Sequence, residues 1–166
     1  PLLVANRAGQ VDNRAVEARP DVLVYTTDPL PSAIEALGPV DAVVYVRGEL
    51  EHFDVFARLC DVDRRGRSWN VCDGLARVAP GRFTAGADGV VEVWVRLWPT
   101  GYRFRSGHRI RVQISGGAHP RFARNPGTGE PLGTAVALRA GYQSVFHDAE
   151  HPSAILLPVV SGQPSQ

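Results

Sequence analysis

A serine and a histidine lie two residues apart in Ser106-Gly107-His108. In a nucleophilic hydrolase, an imidazole hydrogen-bonded to a serine hydroxyl takes the proton from the attacking oxygen. The partners in such sites usually come from separate loops, whereas this tripeptide is typical of a turn that leads into a strand. We therefore expect an ordinary turn serine and a strand-edge histidine. An independent hydrolase built on Ser106, His108 and an aspartate is the disfavoured alternative.

A second polar segment, His147-Asp148-Ala149-Glu150-His151, combines imidazoles with carboxylates. Histidines four residues apart bind one metal ion when they share a helix face. Pro152 and the lack of helical periodicity place this segment in a loop, so we predict no metal site. The sequence also lacks a Gly-x-Ser-x-Gly nucleophile turn, a His-Glu-x-x-His zinc motif, a phosphate-binding glycine loop and a dinucleotide fingerprint. We therefore predict no cofactor.

Two tryptophans lie on one face of a predicted strand. Apolar and mostly polar positions alternate along Val91–Trp98, which is typical of a strand with one buried face and one wetter face. Trp94 and Trp98 fall on the wetter face. Exposed aromatic rings stack on sugars, but a neighbouring domain can bury them equally well. A free-standing carbohydrate-binding module that uses Trp94 or Trp98 is therefore the alternative function.

The rest of the chain is predicted to form short strands separated by Gly, Pro and Asp. The candidate strands are Val22–Tyr25, Val40–Arg47, Asp54–Val62, Asn70–Val78, Gly89–Trp98, Arg109–Ser115, Thr134–Leu138, Gln143–Phe146 and Ala154–Val160. Only Pro31–Leu37 has a helical pattern. Many short strands divided by turns favour an all-β fold with two antiparallel sheets packed as a sandwich. The pattern alone leaves open an immunoglobulin-like or a jelly-roll strand order.

The two cysteines, Cys60 and Cys72, lie on either side of a predicted turn at Asp63–Arg67. Gly66 suits the left-handed conformation that closes such a hairpin. Closure of this turn places Cys60 opposite Asn70, with Cys72 on the diagonal. A register shifted by one residue in each strand would instead bring the two thiols face to face. The sequence favours buried free thiols and leaves a disulfide open.

Composition and charge argue against some classes of partner. The 166 residues carry 18 Lys and Arg against 17 Asp and Glu, a formal net charge of +1 without a basic block. We therefore predict neither nucleic acid nor a membrane as a partner. Pro1–Asn6 lacks the charged start and long apolar run of a signal peptide, and we expect a cytoplasmic protein. The sequence contains no methionine, so we expect it to be part of a longer polypeptide.

Several motifs follow one another along the chain: Arg19–Tyr25 with Pro29-Leu30, Asp54–Val62 with Gly66-Arg67-Ser68 and Asp73-Gly74, Leu97–Thr100 with Gly107–Arg111, Pro120–Phe122 with Arg124-Asn125-Pro126, and His151–Ser153. In this order they resemble the C-terminal domain of the cocaine esterase and X-Pro dipeptidyl-peptidase family. A set of positions within or beside these motifs is expected to be structural: Asp54, Asp61, Gly66, Asp73, Gly74, Trp98, Pro99, Gly107, Arg109 and Asn125.

The resemblance implies a jelly-roll β-sandwich similar to galactose-binding domains. Residues 1–20 are polar and lack a strand pattern, so we expect a linker or arm there, and the resemblance implies that this arm follows an α/β-hydrolase domain. We expect residues 21–160 to form the sandwich and residues 161–166 to form a tail. In this family the hydrolase domain of the parent chain holds a Ser-Asp-His triad, together with a helical cap. None of the triad positions maps onto this sequence. The chain is therefore expected to be a non-catalytic domain of a serine hydrolase that acts on esters or Xaa-Pro peptides. A second copy of the chain is a further partner that the sequence allows.

One loop is a candidate for contact with substrate. Gly48–Phe53 joins two predicted central strands and carries apolar side chains next to acids. The resemblance suggests that this edge of the sandwich faces the active-site mouth. Leu50, Glu51, His52 and Phe53 are therefore the predicted pocket residues, with Leu50 and Phe53 in apolar contact with an acyl or leaving group. The alternative is a domain that only stabilises its neighbour by burying an apolar face.

Overall fold

The computed structural model describes residues 9–160 and contains two antiparallel sheets that enclose one hydrophobic core. The elements, in chain order, are α1 (Arg14–Glu17), β1 (Val22–Thr26), β2 (Ile34–Gly48), β3 (Phe53–Val62), β4 (Ser68–Val78), β5 (Val91–Phe104), β6 (Arg109–Ser115), β7 (Gln143–Phe146) and β8 (Ala154–Leu156). Sheet A has the strand order β1-β6-β3-β4. Sheet B has the order β5-β2-β7, and β8 also pairs with β2. The predicted all-β sandwich is confirmed, whereas the jelly-roll connectivity stays a prediction.

Alternating side chains build the core between the sheets. In β5, Val93, Val95 and Leu97 are buried, while the residues between them are exposed. The strand β3 is buried along nearly its whole length, because its inner face packs in the core and its outer face meets the segment around α1. Burial of apolar side chains between the two sheets is the main favourable contribution to the stability of such a fold.

Two predicted elements are wrong. Pro31–Leu37 is not helical, because its second half is the start of β2, where Ile34 pairs with Phe104 of β5. A helical pattern of two turns is weak, and pairing with a long strand overrides it. Thr134–Leu138 forms no strand and lies in the long loop between β6 and β7. Val136 and Leu138 are exposed, Val136 almost completely, so no neighbouring sheet covers these two side chains.

The segment that carries α1 lies against the outer face of sheet A. Asn13 is 2% exposed, and its side-chain amide donates hydrogen bonds to backbone carbonyl groups. Glu17 accepts hydrogen bonds from Arg111 Nη1 at 2.6 Å and from Gln113 Nε2 at 2.7 Å. Polar side-chain contacts therefore fix this part of the chain to the sheet. Residues 1–8 and 161–166 lie outside the described residues, so the predicted arm and tail stay predictions there.

The hairpin between β3 and β4 closes as one of the two predicted registers requires. Asp63 N donates to Arg67 O at 3.0 Å, and Gly66 has a φ of 78°. Burial opposes ionisation of the Asp63 carboxyl, but hydrogen bonds from Arg67 and Trp69 outweigh it and hold the pKa well below its usual range. Hydrogen bonds to a carboxylate favour its charged form. The turn is therefore stabilised by its own side chains.

The two cysteines are free and lie on opposite faces of sheet A. Cys60 pairs with Asn70 across the hairpin, as one predicted register requires. The predicted diagonal position of Cys72 is wrong, because an irregularity after this pair brings Cys72 opposite Leu59 and turns it to the other face. Cys72 lies with Leu59 in the core, whereas Cys60 Sγ accepts a hydrogen bond from Gln113 Nε2 under the α1 segment. Thiols on opposite faces of a strand pair cannot approach within the bonding distance of a disulfide.

We expect neither thiol to react with Ellman's reagent in the native chain at pH 8, and both to react once the chain is unfolded. Burial raises the pKa of Cys60 and of Cys72 from 9.0 to about 12, so both groups stay protonated and inaccessible. A thiol whose folded pKa lies above its unfolded value contributes stability below pH 9 that is lost as the pH rises towards 12. Urea unfolding at pH 8 and at pH 10.5 measures this loss. A native disulfide, detected as an unfolded chain without free thiols, would contradict the assignment.

The two sheets come into backbone contact where Gly74 of β4 meets Arg96 and Leu97 of β5. A Cβ atom at Gly74 would lie 2.2 Å from Arg96 O and 2.8 Å from Arg96 C. No side chain fits at this position, so glycine is required by the backbone approach rather than by an unusual φ. On the opposite flank, the short strands β7 and β8 face β1 and β6, and the sandwich is open there.

Candidate functional site

A pocket of about 210 Å³ lies at the end of the sandwich where β2 leads into β3. Its walls come from the β2–β3 loop and from the long loop between β6 and β7. The lining residues are Gly48, Leu50, His52, Phe53, Asp54, Gly116, Asn125, Gly127, Arg139, Ala140, Gly141, Tyr142 and Gln143. Three of the four predicted pocket residues thus line one cavity. Glu51, the fourth, is exposed and does not line it.

The predicted pocket residues differ in how much they expose. Leu50 is half-buried between two glycines, since a Cβ at Gly127 or Gly141 would lie 3.0 Å or 2.6 Å from its side chain. Phe53 is 8% exposed and belongs to the hydrophobic core. Leu50 therefore has the more accessible apolar surface, and Phe53 supports the pocket from below.

The loop from β6 to β7 supplies most of the wall that sequence analysis missed. Tyr142 N donates to Glu49 Oε2 at 3.0 Å, and Glu49 N donates to Tyr142 O at 3.0 Å. These bonds join the two loops and fix the position of Leu50 between them. The glycines at 127 and 141 are the signal in the sequence, because close packing of loops requires residues without side chains.

An ion pair closes the pocket floor. Asp54 has 1% of its side chain exposed and accepts hydrogen bonds from Arg77 Nε at 2.7 Å and from Arg77 Nη2 at 2.8 Å. Asn125 Nδ2 donates to the same carboxylate at 2.7 Å. Through Asn125, this network connects the start of β3 to the long loop. Asp54 and Asn125, both expected to be structural, thus lie together at the candidate site.

A second set of expected structural residues lies at the opposite end of the sandwich. Asp61 Oδ1 and Oδ2 are each 3.0 Å from His108 Nδ1, and Asp61 Oδ2 accepts a hydrogen bond from the Tyr102 hydroxyl at 2.9 Å. Gly107 has a φ of 78° in the turn before β6, and Arg109 Nη1 donates to Thr27 O at 3.0 Å. These contacts, like those of Gly66, are remote from the candidate pocket, as the pairing of Val62 with Arg109 shows.

The remaining expected structural residues occupy sheet faces. Asp73 lies between two guanidinium groups, with Arg58 Nη2 at 3.2 Å and Arg121 Nε at 2.8 Å. Trp98 and Pro99 lie in β5 where its pairing with β2 shifts register. Trp98 is 65% exposed and Trp94 is 54% exposed. Both indole rings therefore remain accessible on the outer face of sheet B.

Three of the polar side chains that suggested chemistry, Ser106, His108 and His151, make structural contacts. The Ser106 hydroxyl donates to Pro31 O at 3.1 Å, while His108 faces Asp61. His151 Nε2 lies 3.1 Å from Asp88 Oδ2, in the predicted loop. Within residues 9–160, no group of three or more His, Cys, Asp or Glu side chains is arranged to hold a metal ion. In the same range, no helix is long and apolar enough to cross a lipid bilayer.

Comparison with known proteins gives matches over nearly the whole chain. The chain is 34% identical over 167 residues to the cocaine esterase of Rhodococcus sp. (strain MB1 Bresler), a match that covers 92% of this chain and 28% of the esterase. An α-amino acid ester hydrolase of known structure superposes with a TM-score of 0.84 at 27% identity, over 96% of this chain and 30% of the hydrolase. An aminopeptidase from the marine sediment archaeon Thaumarchaeota archaeon superposes with a TM-score of 0.79 at 27% identity, over 90% of this chain and 27% of the aminopeptidase.

The chain thus spans less than a third of the length of each of these relatives. Residues 3–156 match the family model of the X-Pro dipeptidyl-peptidase C-terminal non-catalytic domain. The structure agrees with this match, because the chain folds as a β-sandwich. Within the described residues, the serine of the only Ser-x-His motif bonds to Pro31 O and its histidine faces Asp61. The chain therefore belongs to the family of C-terminal non-catalytic domains of X-Pro dipeptidyl-peptidases.

Proposed function

We propose that this domain stabilises the α/β-hydrolase domain of its parent chain and that its Gly48–Phe53 loop lines the parent's substrate pocket. The observation that carries the second part is the cavity beside Leu50, which combines apolar walls with a few polar groups. Such a combination is typical of ligand sites. The proposed association with a hydrolase domain is supported by the length of the relatives, which are more than three times as long as the matched segment.

The names of the relatives support a proposal for the chemistry of the parent. They are a cocaine esterase, an α-amino acid ester hydrolase and an aminopeptidase, so the parent is proposed to be a serine hydrolase of acyl esters or of Xaa-Pro peptides. Leu50 would contact the acyl or leaving group, and His52 and Glu51 would form the polar rim of the loop. Phe53 would keep the loop in place from within the core.

The central test is hydrolysis of an activated acyl ester and of an Xaa-Pro anilide by this chain alone and by the full-length parent. Activity only in the parent is expected for an accessory domain. Turnover by the isolated chain that is lost in the variant Ser106→Ala would overturn the proposal.

In the parent, we expect Leu50→Ala to raise KM about tenfold with little change in kcat, because removing an apolar contact in a pocket weakens binding by about 1–2 kcal/mol. Leu132→Ala is the matched control, since Leu132 is an exposed leucine of the long loop that does not line the pocket. Steady-state kinetics and the melting temperature are measured for both variants. Equal KM values for Leu50→Ala and Leu132→Ala would leave the domain a scaffold only.

A second candidate function is binding of carbohydrate at Trp94 and Trp98. The observation in its favour is that both rings are more than half exposed on one strand, with Trp94 Nε1 bonded to Glu92 Oε1 at 2.6 Å. Rings held in this way offer flat apolar surfaces for stacking on sugars. A glycan that raises the melting temperature of the chain, but not that of Trp94→Ala, would support this function.

A further inference from the structure

The open flank of the sandwich contains a second cavity, of about 330 Å³, between the inner faces of the two sheets. Val112 and Ile114 of β6 form one wall, and Val145 of β7 with Ile155 of β8 form the other. The strands on this flank are short, four residues in β7 and three in β8. The strands β7 and β8 therefore cover less of the core than the long strand β5 does on the opposite side. The cavity is therefore an unfilled part of the hydrophobic core with access to solvent.

One apolar side chain that points inward, Leu23, remains partly exposed beside this cavity. Leu23 of β1 pairs with Ile114, so the two side chains share the inner face of sheet A. Leu23 is nevertheless 41% exposed, whereas Ile114 is 6% exposed. Covering apolar surface with a further apolar group removes it from water, which is favourable. The cavity thus favours an apolar occupant.

Two polar groups at the cavity have free hydrogen-bonding capacity. The rings of Tyr25 and His147 meet edge to face with centroids 5.4 Å apart. Within residues 9–160, neither the Tyr25 hydroxyl nor the His147 ring takes part in a hydrogen bond. A tyrosine hydroxyl is protonated at neutral pH and can donate a hydrogen bond, and burial raises the pKa of Tyr25 further. Ser153, by contrast, donates to Phe146 O and accepts from Tyr45 N.

We propose that this cavity is a binding site for a small, uncharged, mostly apolar molecule that carries one hydrogen-bonding group, such as an aryl alcohol. A cavity of about 150 Å³ holds one benzene ring, so the volume here fits two fused rings or a short alkyl chain. A helix, with a diameter of about 10–12 Å, does not fit. The apolar walls would bind the ring system, and the Tyr25 hydroxyl would bind the polar group. The inference does not depend on the function proposed for the Leu50 loop.

The probe for the test is 1-naphthol, titrated into the 166-residue chain and followed by amide chemical shifts. For about eleven non-hydrogen atoms in an apolar site, we expect a dissociation constant of about 10⁻⁴ M. The shifts should concentrate on β6, β7 and Tyr25 rather than on the Leu50 loop or on Trp94. Shifts confined to Trp94 and Trp98, or no saturable shifts, would overturn the proposal.

Two variants test the contributions of the apolar walls and of the polar group to binding separately. Val145→Phe places a ring in the cavity from a short strand and should weaken 1-naphthol binding at least tenfold. Tyr25→Phe should weaken 1-naphthol about fivefold and leave 1-methylnaphthalene unchanged, because only the naphthol has a hydroxyl group. Tyr142→Phe is the matched control, since Tyr142 is exposed at the other pocket. If Val145→Phe fails to fold, the shift map and the Tyr25→Phe comparison still decide.

The parent protein gives the last arm of the test. Binding of 1-naphthol by the isolated chain and by the parent, with the same loss in Tyr25→Phe, would establish a ligand site. Binding by the isolated chain that disappears in the parent would mean that side chains of another domain occupy the cavity, and this would overturn the proposal. Either outcome leaves the kinetics of Leu50→Ala unaffected, so the two proposals fail separately.

Discussion

Replacing Gly74 by alanine is expected to destabilise the sandwich by about 3 kcal/mol or more, because overpacking against a backbone forces the sheets apart. The added Cβ would lie 2.2 Å from Arg96 O and 3.0 Å from Leu97 Cα. Those atoms belong to the main chain of β5, where Arg96 and Leu97 pair with Asp41 and Val40 of β2, so this pairing resists a local shift. For a domain of this size, the expected loss lowers the melting temperature by about 10 °C.

Two other glycines are matched controls for this substitution. Gly133 has open space around its Cβ position, so Gly133→Ala should leave the melting temperature unchanged. Gly66 also has open space but a φ of 78°, so Gly66→Ala should cost about 1 kcal/mol through backbone strain alone. Calorimetry or urea unfolding of the three variants ranks them. A Gly74→Ala variant as stable as Gly133→Ala would show that the sheets do not meet at this point.

Replacing Asp54 by alanine is expected to destabilise the domain by about 3–5 kcal/mol, because removing one partner of a buried ion pair leaves the other charge uncompensated. Arg77 makes two hydrogen bonds to Asp54, and its own side chain is 24% exposed. Asn125 would lose its acceptor in the same variant. Since Asn125 holds the long loop to β3, the candidate pocket should become disordered before the rest of the domain unfolds.

The exposed pair of Arg19 and Asp21 provides the control. Its guanidinium and carboxylate groups lie 2.5 Å apart, but both side chains are about 60% exposed, so water screens their interaction. Asp21→Ala should leave the unfolding midpoint unchanged. Hydrogen exchange of the long loop distinguishes loss of the pocket from global unfolding in Asp54→Ala. Equal stability of the two variants would contradict a structural role for the Asp54 network.

The Asp54 network also bears on the proposed function. It joins the floor of the pocket to the start of β3, and Phe53 next to it is part of the core. A substitution at Asp54 therefore changes stability and pocket geometry together, whereas Leu50→Ala changes mainly the pocket surface. Kinetic effects of Asp54 variants in the parent should accordingly be interpreted only after their stability has been measured.

Strands in which apolar and polar residues alternate clearly could be predicted from the sequence alone. The alternation in Val91–Trp98 predicted both the burial of its valines and the exposure of Trp94 and Trp98. The turn at Gly66 limited the hairpin to two registers, and the structure has the one that pairs Cys60 with Asn70. These features depend on the period of the strand and on the conformational freedom of one glycine, which are local properties.

The features that depend on distant parts of the chain required the tertiary structure. The start of β2 resembles a short helix until β5 pairs with it, and Thr134–Leu138 resembles a strand although no partner lies beside it. The pocket beside Leu50 arises because hydrogen bonds join Glu49 to Tyr142 across more than ninety positions of sequence. Which strands are neighbours, and where the sandwich stays open, is decided by packing between residues far apart in sequence, and no local pattern encodes it.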